Sequence, residues 1–219
     1  MPCAQLTSFP FWPQLTEAQR QRAEAQLHEV HFNAGDVVHS LGRDCLGLLL
    51  VRRGALRAFL LSEEGREATV AWMRVGEVCV LSAGCVLQAL EWDVEIDAEE
   101  DSDVVQLPSG ALGALMRENP QVESYVYKAA AERFSDVMSA VERLLFSTLE
   151  QRVAAYLLDE AARLGAEEIH VTQEQLARHI GSAREAVTRT LKQMAREGLL
   201  EVFRGGIRIL DRKALYALC

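Results

Sequence analysis

The chain has 219 residues, 49% of them hydrophobic, and a formal net charge of −9. That is enough chain and apolar content for a domain of about 150 residues joined to a smaller module. No apolar run reaches the roughly eighteen residues of a membrane span, and the opening "MPCAQLTSFPFW" has neither a basic leader nor a long apolar stretch, so no signal peptide is expected and the chain is expected to be cytoplasmic, without membrane partners.

In chain order, residues 16–29 ("TEAQRQRAEAQLHE") have the spacing of a short amphipathic helix opened by Thr16 as its cap. From about residue 30 to 107, short β-rich runs alternate with glycine turns: "NAGDVVHS", "CLGLLLVRRGALRAFLLSEEGREATVAWMRVGEVCVL" and "WDVEIDAEEDSDVVQLP". Strands of this length with turns of this kind predict an antiparallel roll or barrel. Asn119-Pro120 then opens a different pattern. Val126, Ala130, Phe134, Val137, Val141 and Leu144 recur at steps of three and four, close to a heptad seam, and predict a long helix that pairs with a second copy of the chain.

After a break near Phe146 to Thr148, "EQRVAAYLLDEAARLG" reads as an amphipathic helix closed by Gly165. "TQEQLARHI" and "AREAVTRTLKQMARE" are two further helices about a turn at Gly181, and "GLLEVFRGGIRIL" is a hairpin turning at Gly205-Gly206. Two short helices about a glycine turn, followed by a β wing, form a winged helix-turn-helix. The fold class is therefore α+β: an antiparallel β-roll over residues 1–118, a dimerisation helix over 119–146, and a winged helix-turn-helix over 147–219.

Charge follows this division. Residues 171–219 hold nine Lys/Arg against five Asp/Glu, a net +4, while residues 1–170 hold fourteen against twenty-seven, a net −13. An acidic body with a basic tail is expected when only one end approaches phosphates. In a helix-turn-helix the second helix enters the major groove with its first turns against the bases. Arg184, Glu185 and Arg189 lie there, while Ala186, Val187 and Leu191 have the spacing of a seated apolar face. Guanidinium pairs with guanine O6 and N7 and a carboxylate accepts from cytosine N4, so the three are candidate G/C readers. Thr172, Gln173, Ser182, Thr188 and Lys192 are candidate phosphate contacts. A solvated, salt-bridged helix face is the plainer explanation of such charges, but the turn, wing and basic tail weigh against it.

"VTQEQLARHIGSAREAVTRTLKQMAREGLLE" resembles the DNA-binding domain of the Crp/Fnr family of bacterial transcription regulators, and "NAGDVV", "LLLVRRGALR", "EEGREATVAWMRVGEV", "ENPQVE" and "FSTLEQRVAAYLL" follow in family order. The resemblance implies a cyclic-nucleotide-binding-like roll, a homodimer, double-stranded DNA as target and RNA polymerase as a further partner. In the catabolite-activator branch R-E-x-x-x-R reads a TGTGA-like half-site, and Arg184, Glu185 and Arg189 match it; Thr188 stands where the fumarate-nitrate branch carries serine.

The same resemblance frames the sensor. Gly76-Glu77 matches the Gly-Glu that cyclic-AMP-binding members set against the ribose, but the Arg-Ser pair that clamps the phosphate is missing from "CVLSAGCVLQALEWDV", and the adenine-contacting Thr-Ser falls on Val137 and Met138. Cyclic AMP is thus disfavoured. Oxygen-sensing relatives gather three thiolates near the N-terminus for an iron-sulfur cluster, where this chain has Cys3 alone. "GEVCVLSAGCVLQA" resembles the haem-bearing stretch of the family's carbon monoxide sensor, yet Val80 and Ser82 stand at its axial positions. Haem, an iron-sulfur centre and a small organic effector all stay open, with His28, His31 and His39 as further candidate ligands. The candidate effector pocket comprises Gly76, Glu77, Cys79, Leu81, Cys85, Val86, Leu87, Val137 and Met138.

The five cysteines, Cys3, Cys45, Cys79, Cys85 and Cys219, are an odd number, which argues against a disulfide framework. Cys79 and Cys85 are candidates for a thiol pair or a metal site, or are two small buried residues. No G-x-S-x-G, H-E-x-x-H or phosphate loop is present, so no enzyme is expected. The alternative to a DNA-binding regulator is a roll that senses or scaffolds without reading DNA.

Overall fold

The computed structural model describes residues 9–40, 45–87 and 94–219. Contacts divide the chain into two compact units: Met1–Leu60 with Val70–Met138, and Leu61–Thr69 with Ser139–Cys219. Cys3 lies outside the described residues.

The first unit begins with α1 (Glu17–Glu24), shorter than the expected 16–29 helix, because His28 and Glu29 belong to strand β1 (His28–Phe32). The Thr16 hydroxyl accepts from the Gln19 amide while Gln19 reaches back to the Thr16 amide, a closed capping box. The far end is lost to tertiary pairing: β1 runs antiparallel to a strand more than seventy residues on, with His28 opposite Gln106. The strands that follow are β2 (Val37–His39), β3 (Leu48–Arg53), β4 (Ala55–Leu61), β5 (Glu67–Arg74) and β6 (Val78–Cys79). Then come the short helix α2 (Gly84–Leu87) and strands β7 (Glu95–Ala98) and β8 (Ser102–Leu107).

They form two four-stranded sheets, in the orders β1-β8-β3-β6 and β2-β7-β4-β5. This is the expected antiparallel roll. Near-continuous apolar runs such as Leu48 to Val51 fit strands buried on both faces. On β4 one cation is buried among apolar neighbours. Arg57 is fully enclosed, its Nε donates to Asp97 Oδ1 at 3.0 Å on the paired strand β7, and its guanidinium lies over the Phe59 ring.

Helix α3 (Ser109–Glu118), whose helical propensity is diluted by Gly110 and Gly113 and which was not expected, leads to α4 (Pro120–Phe146). The break between them is built by Asn119, whose side chain donates to the Gln14 carbonyl at 3.0 Å and accepts from the Gln121 amide at 3.0 Å, with Pro120 opening the next helix. Val122, Val126 and Ala130 of α4 belong to the core that also contains Phe9, Phe11, Leu87, Leu112 and Leu115.

The second unit contains α5 (Leu149–Leu164), β9 (Glu168–Ile169), α6 (Gln173–Ile180), α7 (Arg184–Arg196), β10 (Leu200–Phe203), β11 (Gly206–Ile209) and α8 (Arg212–Leu218). Thr148 with Gln151 and Thr172 with Gln175 repeat the capping box seen at Thr16. Gly165 and Gly181 end α5 and α6 in left-handed conformation, as expected of C-terminal glycines.

Replacing Arg57 by Leu leaves Asp97 without its buried counter-charge, and the expected loss is about 3–5 kcal/mol of unfolding free energy. Urea denaturation measures it; a loss under about 1 kcal/mol would show that the pair is dispensable to the roll.

Candidate nucleic-acid interface and sensor face

Helix α7 has two unlike sides. Val187, Leu191 and Met194 are fully buried against Leu157, Leu176 and Ile207 of the second core, while Arg184, Glu185, Arg189 and Lys192 are exposed. Burial on one side fixes the rotation of the helix, and so fixes which charges face outward.

The turn before α7 is held tightly. Gly181 adopts φ 65°, the Ser182 amide donates to the Ala177 carbonyl at 3.0 Å, and Arg152 of α5 donates through Nη1 to the Ile180 and Gly181 carbonyls at 2.7 and 3.3 Å. Burial lowers the Arg152 pKa from its ordinary value. Sequence reasoning missed Arg152: an arginine on an amphipathic helix gives no sign of what it will reach.

The candidate phosphate contacts divide. Lys192 is exposed and Ser182 half-buried. The Thr172 hydroxyl is committed to the Gln175 amide and side chain, and the Thr188 hydroxyl lies 2.6 Å from Gln173 Oε1 and 2.8 Å from the Arg184 carbonyl. Thr188 therefore braces α7 against α6, while Thr172 caps its own helix.

The other cations of the unit explain why α7 stands out. Arg208 is held by Glu168 and Glu201, Arg212 by Glu167 and Arg163 by Glu160, whereas Arg189, Lys192 and Arg204 have no ion-pair partner among the described residues. Arg184 meets Glu174 at 3.9 Å, both well exposed. Arg189 and Lys192 on α7 and Arg204 at the wing tip thus carry positive charge that no ion pair among the described residues neutralises.

The wing differs slightly from expectation. Its turn is Arg204-Gly205, with Gly205 at φ 84°, and Gly206 is the first residue of β11, opposite Phe203. Gly206 is needed for space: a Cβ there would lie 2.3 Å from the Phe203 ring and 2.8 Å from the Ile169 carbonyl oxygen.

In the first unit the candidate effector residues do not line one cavity. Cys79, Leu81 and Leu87 are packed in the interior; Gly76 is in an exposed turn at φ 87°. The Glu77 carboxylate accepts from the Arg74 amide at 2.9 Å and faces Arg133 at 3.8 Å. Val137 points inward and Met138 outward. Cys85 and Val86 border a groove of about 500 Å3 whose other walls come from Gly110, Gly113 and Arg117 of α3 and Glu123 and Tyr127 of α4.

The proposed cysteine pairing is corrected. Cys85 is bonded to Cys45, forty residues away in sequence, and Cys79 is a free, buried thiol whose pKa is pushed up by burial. Spacing in sequence favoured Cys79 with Cys85, but Cys79 belongs to β6, with its side chain in the core. Among the described residues no group of three or more His, Cys, Asp or Glu is placed to hold a metal ion. His31 is instead paired with Asp103 at 2.7 Å, and with Arg53 beside it this holds the Asp103 carboxyl below the usual carboxylate range.

The apolar residues of α4 fall on two stripes. Val126, Ala130 and Val137 are 0%, 3% and 9% exposed and pack within the chain, while Tyr127, Phe134 and Met138 are 44%, 48% and 49% exposed. With Ala131 and Val141, the outward set is 127, 131, 134, 138 and 141, again at steps of four and three. Of the residues expected on the seam, Phe134 is on this outer face, and Val141 and Leu144 are half-buried.

A helix-turn-helix with a wing, presenting unpaired cations on its second helix, defines a DNA-binding transcription regulator. Residues 151–218 match the Crp-like helix-turn-helix domain. Over 199 residues the chain is 32% identical to the transcriptional regulator SdrP of Thermus thermophilus, covering 86% of this chain and 93% of that one. It is 25% identical over 211 residues to the nitrogen fixation regulation protein FixK of Bradyrhizobium diazoefficiens, covering 93% and 87%. A crystal structure of a Crp/Fnr-family regulator from Eubacterium rectale superposes with a TM-score of 0.91 at 39% identity, over 96% of this chain and 98% of that one. The chain belongs to the Crp/Fnr family. Among the described residues no helix is long and apolar enough to cross a membrane.

Gly206→Ala is expected to destabilise the wing by about 1–3 kcal/mol, because the Ile169 carbonyl cannot swing aside as the Phe203 ring can. Amide exchange should quicken at β9, β10 and β11; unchanged protection there would show that the wing absorbs the extra carbon.

Proposed function

We propose that this protein is a homodimeric regulator that reads a palindromic operator with TGTGA-like arms through Arg184, Glu185 and Arg189, and that its activity is switched by an effector or redox signal at the roll other than cyclic AMP. The observation that carries the reading is the division of α7: its apolar side is wholly buried, and its outward side carries these three charges in its first two turns. In that geometry Arg184 and Arg189 are G-readers and Glu185 a C-reader, Lys192 and the Gln173 amide serve phosphates, and Arg204 at the wing tip serves the flanking backbone. The expected palindrome follows from two-fold symmetry, which places the two recognition helices about 34 Å apart on one side of the duplex. RNA polymerase is the further partner that this role implies.

The dimer seam proposed is Tyr127, Ala131, Phe134, Met138 and Val141, because the stripe one residue earlier is already covered by the protomer. An exposed apolar heptad stripe of this kind is a coiled-coil surface. Phe134→Glu is expected to yield monomers in sedimentation equilibrium with the fold retained. A dimer that survives this substitution would move the seam elsewhere.

Alanine at Arg184 or Arg189 is expected to reduce specific operator binding by about 1–3 kcal/mol and to relax preference at one base pair. Lys192→Ala should weaken all sequences alike and flatten the salt dependence. If the arginine variants lose only sequence-independent, salt-dependent binding, those residues are phosphate clamps. If none changes DNA binding, the roll is a sensor or scaffold without DNA readout.

A further inference from the structure

We propose that Cys45 and Cys85 form a redox-reactive site, a reversible thiol-disulfide couple whose state sets the seating of α2 beside α3 and α4. The inference gives the regulatory reading above a specific signal, and it rests on that reading for its consequence at DNA.

The two segments are held together without the bond. Ser82 Oγ donates to the Gly47 carbonyl at 2.7 Å, the Gly47 amide donates to the Ser82 carbonyl at 3.2 Å, and Leu49 of β3 pairs with Cys79 of β6. Gly47, at φ 88°, is pressed so close to the start of α3 that a Cβ would lie 2.1 Å from the Leu107 carbonyl oxygen. Reduction therefore leaves the two thiols as neighbours: the Cα atoms are 6.0 Å apart, inside the range a disulfide needs. Cys45 Sγ lies 3.4 Å from the Ser82 carbonyl, an acceptor for its S–H once the bond is open. Because the chain itself keeps the sulfurs close, re-formation is intramolecular and fast compared with capture by outside thiols.

Access separates this pair from the other cysteine of the roll. Cys85 is exposed and Cys45 half-buried, whereas Cys79 is fully enclosed and its thiol is held protonated by burial. A DNA-binding regulator works beside the chromosome, among reducing thiols, where a disulfide is characteristically redox-sensing. The oxidant is hydrogen peroxide. The Cys85 thiolate attacks one peroxide oxygen, the O–O bond breaks, and one water leaves after protonation. The Cys45 thiolate then attacks Cys85 Sγ, the S–S bond forms, the S–O bond breaks, and a second water leaves. In reverse, a dithiol attacks the exposed Cys85 sulfur, Cys45 departs as a thiolate and takes a proton, and the reductant's second thiol resolves the mixed disulfide.

The couple reaches further because of what α2 touches. Val86, next to Cys85, packs on the roll core and lies over Gly113 of α3, where an added Cβ would be 3.8 Å from its Cγ1. The groove bounded by Cys85 and Val86 has Tyr127 as its α4 wall, and Tyr127 belongs to the outward stripe proposed as the dimer seam. Tethering Cys85 to Cys45 adds a restraint on α2 along this wall; opening the bond removes that restraint, while the Ser82–Gly47 hydrogen bonds keep the two segments together.

The test uses the full chain, reduced with dithiothreitol and then titrated with hydrogen peroxide. Thiols are trapped by iodoacetamide and read by peptide mass, and dimer affinity and affinity for a duplex with two inverted TGTGA arms are measured in each state. The expected result is that Cys45 and Cys85 lose their alkylation together and regain it with dithiothreitol, with Cys79 unaffected. Dimer or duplex affinity should shift by about fivefold or more between the states. Cys45→Ser and Cys85→Ser should abolish the shift and Cys79→Ser should retain it; if either serine variant fails to fold, the reduced parent carbamidomethylated at Cys45 and Cys85 replaces it. A pair that never forms under peroxide, a bond that resists dithiothreitol, or cycling that changes neither affinity overturns the proposal. If the pair cycles and the dimer responds while the duplex shows no sequence preference in either state, the DNA reading fails and the redox site stands.

Discussion

The structure depends on one helix having two apolar faces. α4 is 27 residues long, about 40 Å at 1.5 Å per residue, and its inner side delivers Val122, Val126 and Ala130 into the core of the roll. A single stripe would then leave polar residues outside, as on most surface helices. Here a second stripe, one residue out of step, carries Tyr127, Phe134 and Met138 into solvent. Apolar side chains of that size in heptad spacing form a surface that a second copy of the same stripe would cover with matched geometry, as the proposed dimer has it. The oligomeric reading thus follows from the way the protomer uses up the first stripe.

The same division of labour recurs on α7, with charge in place of the second apolar stripe. Val187, Leu191 and Met194 make the orientation of the helix non-negotiable, and the Thr188–Gln173 contact and the Arg152 bonds to the α6 carbonyls brace the turn ahead of it. Base reading needs this rigidity, since a guanidinium finds both guanine acceptors only if its Cα is correctly placed. The electrostatics agree. The chain as a whole is acidic, but Glu160, Glu167, Glu168 and Glu201 are matched to Arg163, Arg212 and Arg208, outside the second helix of the helix-turn-helix.

On the sensor side, the residues that the family resemblance would gather around a nucleotide are dispersed. Val137 and Met138 face opposite ways, and Glu77 is engaged by the Arg74 amide. What α2, α3 and α4 do share is a groove with a disulfide at its rim. Two sulfur environments lie within a few residues: Cys79, enclosed and inert, and Cys85, exposed and bonded to Cys45. Burial at Cys79 penalises the thiolate on which sulfur chemistry depends.

Local rules explain what could be read from the amino-acid order. Threonine followed three residues later by glutamine opens α1, α5 and α6, glycine closes α5 and α6, and helical spacing put Val187 and Leu191 inside and Arg184, Glu185 and Arg189 outside. These signals act within one or two turns of chain, so sequence by itself determined the winged helix-turn-helix and the outward charges of its second helix, and alternation with glycine turns determined the roll. Other features depended on partners far away in sequence. The C-terminal end of the expected first helix became β1 because β8 offered it a strand; the inner stripe of α4 was claimed by a core assembled from strands and helices distant in sequence. Cys85 met Cys45 and not Cys79 because β6 turned Cys79 inward. Periodicity states that a face is apolar, or that a thiol is present; only the tertiary structure decides what covers the face and which sulfur comes within bonding distance, since both depend on contacts that no local pattern encodes.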